Sequence, residues 1–191
     1  MRAVIVGCGR VGADLAGELD RAGWQVLIID VSSAAFDRLP ATFGGTALRG
    51  DGTDEDVLRR AGAEGADLFL AMTEGDNRNV MAAQLGIEVL GARQTVAKIN
   101  DPVRAEAYAH LGIATLCRTN LMTSAVLEFL GQAVPSRPGI YAPVDEHPHG
   151  LDAGLAHPGD APMPGTAPVQ GVPMPTRTDA TRPGGMPGTE A

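Results

Sequence analysis

The first 134 residues alternate between short apolar runs and longer amphipathic segments, and this alternation constrains the fold more than any other feature of the chain. The apolar runs are Ala3 to Val6, Val26 to Ile29, Thr46 to Leu48, Leu68 to Met72, Thr95 to Ile99 and Ala114 to Cys117. Between them lie Val11 to Ala22, Ala34 to Leu39, Asp54 to Ala61, Arg78 to Leu90 and Val103 to Leu111, each with apolar residues recurring at three and four. A strand buried on both faces reads as a continuous apolar run, and a parallel crossover needs about a dozen residues, commonly a helix. The expected fold is α/β: a Rossmann-like, doubly wound, parallel six-stranded sheet with helices on both faces.

Composition divides the chain. Twelve of the 14 prolines and nine of the 25 glycines fall at or after Pro135, so 21 of the last 57 residues are one or the other. Such a segment buries too little apolar surface to repay ordering. The expected organisation is therefore a sheet domain over residues 1–118, a further helix over 119–134, and a disordered tail over 135–191. The helix carries Leu121, Met122, Ala125, Val126, Phe129, Leu130 and Ala133, an apolar face that must be covered by the sheet edge or by a second subunit. A net charge of -8 without a basic patch argues against nucleic acid as partner. No apolar stretch approaches the roughly 20 residues of a membrane span, and no signal-peptide pattern opens the chain, so a cytoplasmic, soluble protein is expected. Cys8 and Cys117 form no recognisable disulfide or zinc framework.

"VIVGCGRVG" places glycines at Gly7, Gly9 and Gly12, immediately after the first run and at the head of the first helix. In a G-x-G-x-x-G loop the first glycine permits the tight turn and the second lets the backbone approach a pyrophosphate. The third lets helix and strand pack closely. The anion rests on the helix N-terminus, where unpaired N–H groups and the helix dipole favour negative charge. Asp30 ends the second run 23 residues after Gly7, where a carboxylate accepts bonds from the hydroxyls of an adenosine ribose and disfavours a 2′-phosphate. The same residue would also serve to cap the helix that begins near Ser32.

Other chemistry-bearing residues follow strand ends, where ligands bind in such sheets. Asp51 stands in "LRGDGTDEDVL", as an adenine-side contact or, with Thr53, as a helix cap. Thr73 and Glu74 lie in "FLAMTEGDN" and Lys98 in "TVAKIN". Arg10, inside the glycine loop, reaches bound phosphates or solvent. His147, His149 and His157 sit in the proline-broken tail, where chelation would cost ordering entropy, and no metal site is expected.

Four stretches together carry a family likeness: "VIVGCGRVGADLAGEL", "VLIID", "LRGDGTDEDVLRRAGAEGADLFLAMTEGDNRNVMAAQLG" and "VAKINDP" with "AYAHLGI". Over residues 1–134 the chain resembles the nucleotide-binding domain of Trk-type potassium-uptake regulatory subunits, the TrkA-N or regulator-of-potassium-conductance (RCK) N-terminal domain. The glycine loop is generic, whereas G-D-x-T-D-x-x-x-L-x-x-A-G leading into T-x-x-D-x-x-N is far more specific. The resemblance implies a regulatory, non-catalytic subunit that binds NAD, NADH, ATP or ADP and gates an integral-membrane potassium transporter or channel from the inner face of the plasma membrane. It places the pyrophosphate on Gly7, Cys8, Gly9, Arg10 and Val11, with Gly12 closing the loop. The ribose falls on Asp30, the adenine side on Asp51, and further contacts on Thr73, Glu74 and Lys98. It also implies dimers that exchange the helix after the sixth strand and build a ring. Many members continue into a second, smaller ligand-binding domain, where this chain runs into its proline-rich segment, so a second regulatory subunit is expected to supply what is lacking.

Two other functions use the same loop. One is a small NAD-dependent oxidoreductase, although dinucleotide enzymes normally add a second domain carrying the substrate pocket and the acid-base residue. The other is a nucleotide-sensing dimer that signals to a soluble partner.

Overall fold

Strand β1 (Arg2–Val6) is buried from its second residue onward and lies inside the sheet, hydrogen-bonded to a neighbour on each side. The computed structural model describes residues 1–134, 136 and 138–143. After β1 come α1 (Arg10–Arg21), β2 (Gln25–Asp30), a 3₁₀ helix (Ser33–Arg38), β3 (Thr46–Arg49) and α2 (Glu55–Arg60). The second half holds β4 (Leu68–Ala71), α3 (Asp76–Gln84), β5 (Gln94–Ile99), α4 (Pro102–His110), β6 (Ala114–Cys117), α5 (Arg118–Phe129) and β7 (Ile140–Tyr141). The strand order is β3-β2-β1-β4-β5-β6-β7, parallel from β3 to β6.

The period-two alternation of the central strands sorts their side chains into two cores. Val4 and Val6 join Phe69, Ala71, Ala97 and Ile99 against Leu58, Val80, Ala83 and Ala105 of α2, α3 and α4. Ile5, Ile28 and Leu70 point the other way, onto Ala13 and Ala16 of α1 and Ala35 of the 3₁₀ helix. The expected doubly wound sheet is what the chain forms. Because the strand order reverses between β2-β1 and β1-β4, the loops leaving β1 and β4 diverge at this point and open a crevice at the strands' carboxyl ends.

The sheet has seven strands where six were expected. Cys117 donates its N–H to the Gly139 carbonyl at 2.7 Å, and the short β7 pairs antiparallel with β6, Leu116 opposite Ile140 and Thr115 opposite Tyr141. The buried Asn120 donates to the Pro138 carbonyl and to the Tyr141 hydroxyl, each at 3.1 Å. A proline- and glycine-rich composition excludes a core, but two residues on a free edge need only backbone partners and one anchoring amide. Gly139 belongs here because a Cβ on it would lie 2.2 Å from Leu121 Cδ2. Helix α5 also ends before Val134, since Gly131 takes a left-handed φ of +66° that terminates the helix. Helix α3 extends through a π-helical turn, Leu85–Val89, in which the Leu90 N–H donates to the Leu85 carbonyl. The remainder of the expected tail, with its three histidines, lies outside the described residues.

Candidate functional site

A cleft of about 650 Å³ runs across the carboxyl ends of the parallel strands. Ten of the eleven expected site residues line it: Gly7, Cys8, Gly9, Arg10 and Val11 from the β1–α1 loop, Asp30 from β2, Asp51 after β3, Thr73 and Glu74 after β4, and Lys98 from β5. Gly12 lies beneath the loop, where a Cβ would come within 2.0 Å of the Gly7 carbonyl oxygen.

The three glycines serve different ends. Gly7 has φ +105°, and a Cβ there would meet the Met72 carbonyl carbon and the Thr73 nitrogen at 2.9 Å, so the β1 and β4 loops touch at this position. Gly9 has φ -73°, a conformation open to any residue, and a Cβ on it would meet nothing within 4 Å. The chain itself therefore gives no reason for a glycine at 9, whereas a ligand lying against the loop does. Behind it α1 begins with no side-chain cap and no acidic residue in its first turn. Its first intrahelical bond runs from Ala13 N–H to the Gly9 carbonyl, leaving the preceding amides for an anion.

Asp30 does internal work as well. One carboxylate oxygen accepts the Cys8 N–H at 2.7 Å and the other the Ser32 N–H at 2.8 Å, so the residue ties the glycine loop to the end of β2. Each oxygen keeps a further lone pair, which is the capacity a ribose hydroxyl would use. Below the loop the Cys8 thiol is buried and donates to the Ala35 carbonyl at 3.3 Å. Burial, reinforced by the Asp30 charge and opposed by Arg38, holds that thiol above its ordinary pKa.

Asp51 forms a turn with Thr53, accepting its N–H at 3.0 Å and its hydroxyl at 2.8 Å from the same residue. These bonds, the backbone one foremost, hold the carboxyl below its ordinary pKa. The cap of α2 is Asp54, which accepts from Asp56 N–H at 2.9 Å and Val57 N–H at 3.3 Å.

Two residues of the T-x-x-D-x-x-N stretch hold the rest of the rim. Asn79 is fully buried. It accepts the Thr73 N–H at 2.8 Å and the Thr73 hydroxyl at 2.6 Å, and donates to the Thr73 carbonyl at 3.0 Å and the Lys98 carbonyl at 2.8 Å. Asp76 accepts the backbone N–H of Asn100 at 3.0 Å and its side-chain amide at 2.8 Å. Together they staple the loop after β4 to the end of β5, which is what positions Thr73, Glu74 and Lys98.

The reading of the sequence missed Arg38, Arg78 and Arg118, all of which line the cleft. Arg118 carried a usable signal, because it directly follows a parallel strand. Arg38 and Arg78 lie on helical segments and read as solvated positions. With them the lining carries five cationic side chains, Arg10, Arg38, Arg78, Lys98 and Arg118, against Asp30, Asp51 and Glu74. This local excess of positive charge stands in a chain of net charge -8. An elongated anion with a ribose, as in a nucleotide, fits these groups. Among the described residues no three His, Cys, Asp or Glu side chains come together as metal ligands, and no helix is long and apolar enough to cross a membrane.

Comparisons with known proteins bear on the family and the fold. The chain is 43% identical over 130 residues to the Trk system potassium uptake protein TrkA of Streptomyces coelicolor, an alignment covering 68% of this chain and 58% of that protein. The chain thus spans about half the length of such relatives. Two solved structures share the fold. The NAD(P)-binding domain of an exopolyphosphatase-related protein from Archaeoglobus fulgidus gives TM-score 0.57 and 22% identity over 68% of this chain and 96% of that one. The AMP-bound C-terminal domain of Shewanella denitrificans Kef gives 0.55 and 23% over 70% and 84%. The TrkA-N domain model matches residues 3–119, from β1 through the start of α5, and the chain accordingly belongs to the TrkA-N domain family.

Proposed function

We propose that the chain is a nucleotide-sensing regulatory subunit of a potassium uptake transporter or channel, binding NAD(H) or ATP/ADP in the cleft and gating a membrane partner by a change of shape. The observation that carries the nucleotide reading is Gly9, open on its ligand side without any internal need to be glycine, at the uncapped N-terminus of α1. The first phosphates rest on the amides from Gly9 to Val11, with Arg10 pairing their charge. Asp30 accepts from the ribose hydroxyls, and its carboxylate repels a 2′-phosphate. The adenine side lies toward Asp51. Potassium uptake rests on membership of the TrkA-N family and on the name of the Streptomyces relative.

Regulation needs two arrangements that the ligand distinguishes, because a ligand shifts an equilibrium only by its differential affinity. Helix α5 supports an assembly. Only Asn120 of its residues is buried, while Met122, Val126 and Phe129, and Leu130 just beyond its end, are exposed, Phe129 at 86%. A second copy, or a second regulatory subunit, covers this face in a cytoplasmic oligomer docked at the membrane protein, so that two clefts move with one interface.

A thermal-shift titration with NAD, NADH, NADP, ATP and ADP, paired with sedimentation equilibrium, tests the proposal. Stabilisation by NAD(H) or an adenine nucleotide, with little from NADP, is expected by mass action, on a particle larger than one chain. No shift with any of the five ligands would refute the nucleotide role, and a monomer at micromolar concentration would remove the assembly.

A further inference from the structure

Helix α5 stands off from the rest of the molecule. Asn120 is its one buried residue, Ser124 and Leu127 are half-buried, and every other position from Arg118 to Phe129 is exposed. A helix draws its hold on a fold from the face it packs, and one that packs so little is aimed at its root instead. Besides the chain running on from β6, two side-chain groups hold that root. The Thr119 hydroxyl donates to the Asn100 carbonyl at 2.5 Å, and Asn100 is in turn held by Asp76. The Asn120 amide donates to the Pro138 carbonyl and the Tyr141 hydroxyl, each at 3.1 Å.

Residues 138–141 thus form a strap across the first turn of α5. The strap is fastened to the sheet by the Cys117 N–H on the Gly139 carbonyl and by the two residues of β7 on β6. It presses on the helix at Gly139, where a Cβ would come within 2.2 Å of Leu121 Cδ2 and 2.7 Å of its Cγ. On its other flank it is not close-packed: a recess of about 390 Å³ opens between it and α4, lined by Glu106, His110, Ile140 and Tyr141 among others. The strap is therefore held by a few polar bonds at one sheet edge, and its grip falls on the turn that aims α5.

Resting on the assembly proposed above, we propose that the strap is an orientation lock: through Asn120 it holds α5 at one angle to the sheet and so presents the stripe Met122, Val126 and Phe129 to a second copy. These three residues recur at four and three and share one face of the helix. A helix already held at the angle it needs in the complex loses less freedom on association. With the strap released, α5 swings about its junction with β6, and the same stripe pairs at a greater entropic cost. Asn120 is a positioning residue in this scheme, since it touches the strap and lies off the stripe.

Paired spin labels on Glu88→Cys and Glu128→Cys, both exposed positions, read the angle between α5 and the body of the full chain. Labelled chains are diluted into unlabelled ones so that only distances within a chain are seen, and Cys8 and Cys117 are buried and escape labelling. Asn120→Ala and Gly139→Ala are introduced in turn, with sedimentation equilibrium for the dissociation constant and a thermal melt for the fold. Alanine at 120 favours the helix itself. Gly139→Ala drives the strap off Leu121 without altering Asn120, so a local fault at either position does not decide the result alone. The native chain is expected to give one narrow distance distribution. Both variants should broaden it and raise the dissociation constant at least tenfold while melting within a few degrees of the native chain. A distribution that stays narrow in both variants refutes the lock. Broadening with an unchanged dissociation constant overturns its link to assembly. A native chain that remains monomeric defeats the assembly reading and the presentation of the stripe with it, while the label distances still decide whether the strap aims α5.

Discussion

Replacing Asn79 tests whether the β4 side of the cleft is held by one buried amide. In Asn79→Ala four hydrogen bonds disappear, three of them to the backbone groups Thr73 N–H, Thr73 C=O and Lys98 C=O. Thr73 is half-exposed, so water re-satisfies part of its loss, and its hydroxyl retains the Gly75 carbonyl at 3.5 Å. The Lys98 carbonyl sits beside a buried residue and has less recourse to water. Two net bonds at about 1 kcal/mol each, with about 1 kcal/mol more for a desolvated carbonyl, give a loss of about 3 kcal/mol. In urea, with a slope of about 1.5 kcal/mol per molar, the unfolding midpoint falls by about 2 M at constant slope. Asn79→Asp sharpens the test, because it keeps the acceptor toward Thr73 but turns a carboxylate on the two carbonyls. That carboxyl is held above its ordinary pKa in the folded chain. The folded state then binds the extra proton, and the variant gains stability relative to native as pH falls through that pKa and loses it as pH rises. A cost under about 1 kcal/mol for alanine, or an aspartate variant whose stability follows the native pH profile, would refute the staple.

The glycine loop separates two kinds of need in one pair of variants. Gly7→Ala should fail to fold or lose several kcal/mol, on the order of ~3, since its Cβ meets backbone at 2.9 Å and its φ is +105°, whereas Gly9→Ala should leave the urea midpoint unchanged and weaken nucleotide binding at least tenfold by calorimetry. Equal effects of the two substitutions on stability would show that Gly9 is structural. At Asp51, Thr53→Ala removes the hydroxyl bond and should raise the carboxyl toward its ordinary value, read by NMR titration. Because the folded pKa is the depressed one, the stability it contributes is present above the unfolded pKa and is lost as pH falls through the folded one. An unmoved titration would leave the backbone N–H of Thr53, with the Arg78 charge beside it, as the cause.

The parts of the fold that were legible are those decided by burial. Strands with both faces covered, such as "AVIV" and "VLII", have little alternative to the centre of a parallel sheet, and β6 falls on its expected residues, Ala114–Cys117. What the sequence hid depends on a single partner across space. The seventh strand rests on Asn120 reaching Pro138 and Tyr141, and nothing in the composition around Pro138 announces that contact. The early end of α5 was marked by Gly131, but the apolar residues beyond it, Ala133 and Val134, continued the helical pattern and masked the stop.

The site shows the same division for a different reason. Gly7, Gly9, Gly12 and Asp30 are legible because their spacing follows from backbone geometry common to sheets of this kind. The cations Arg38 and Arg78 are not, since an arginine on a helical segment reads alike whether it faces solvent or a cleft, and only the sheet order brings two such segments to one opening; Arg118, directly after β6, was legible by its place at a strand end. The stretch most specific to the family, T-x-x-D-x-x-N, turns out to supply scaffold as much as contact: Asp76 and Asn79 fix the loops while Thr73, Glu74 and Lys98 line the cleft. A ligand that pulls on Lys98 therefore pulls on a strand end joined through Asn79 to the loop that rests against Gly7. Both ends of the cleft are in this way connected by hydrogen bonds and one close backbone contact. Such a connection would carry the displacement made by a ligand at either end of the cleft to the other half of the sheet.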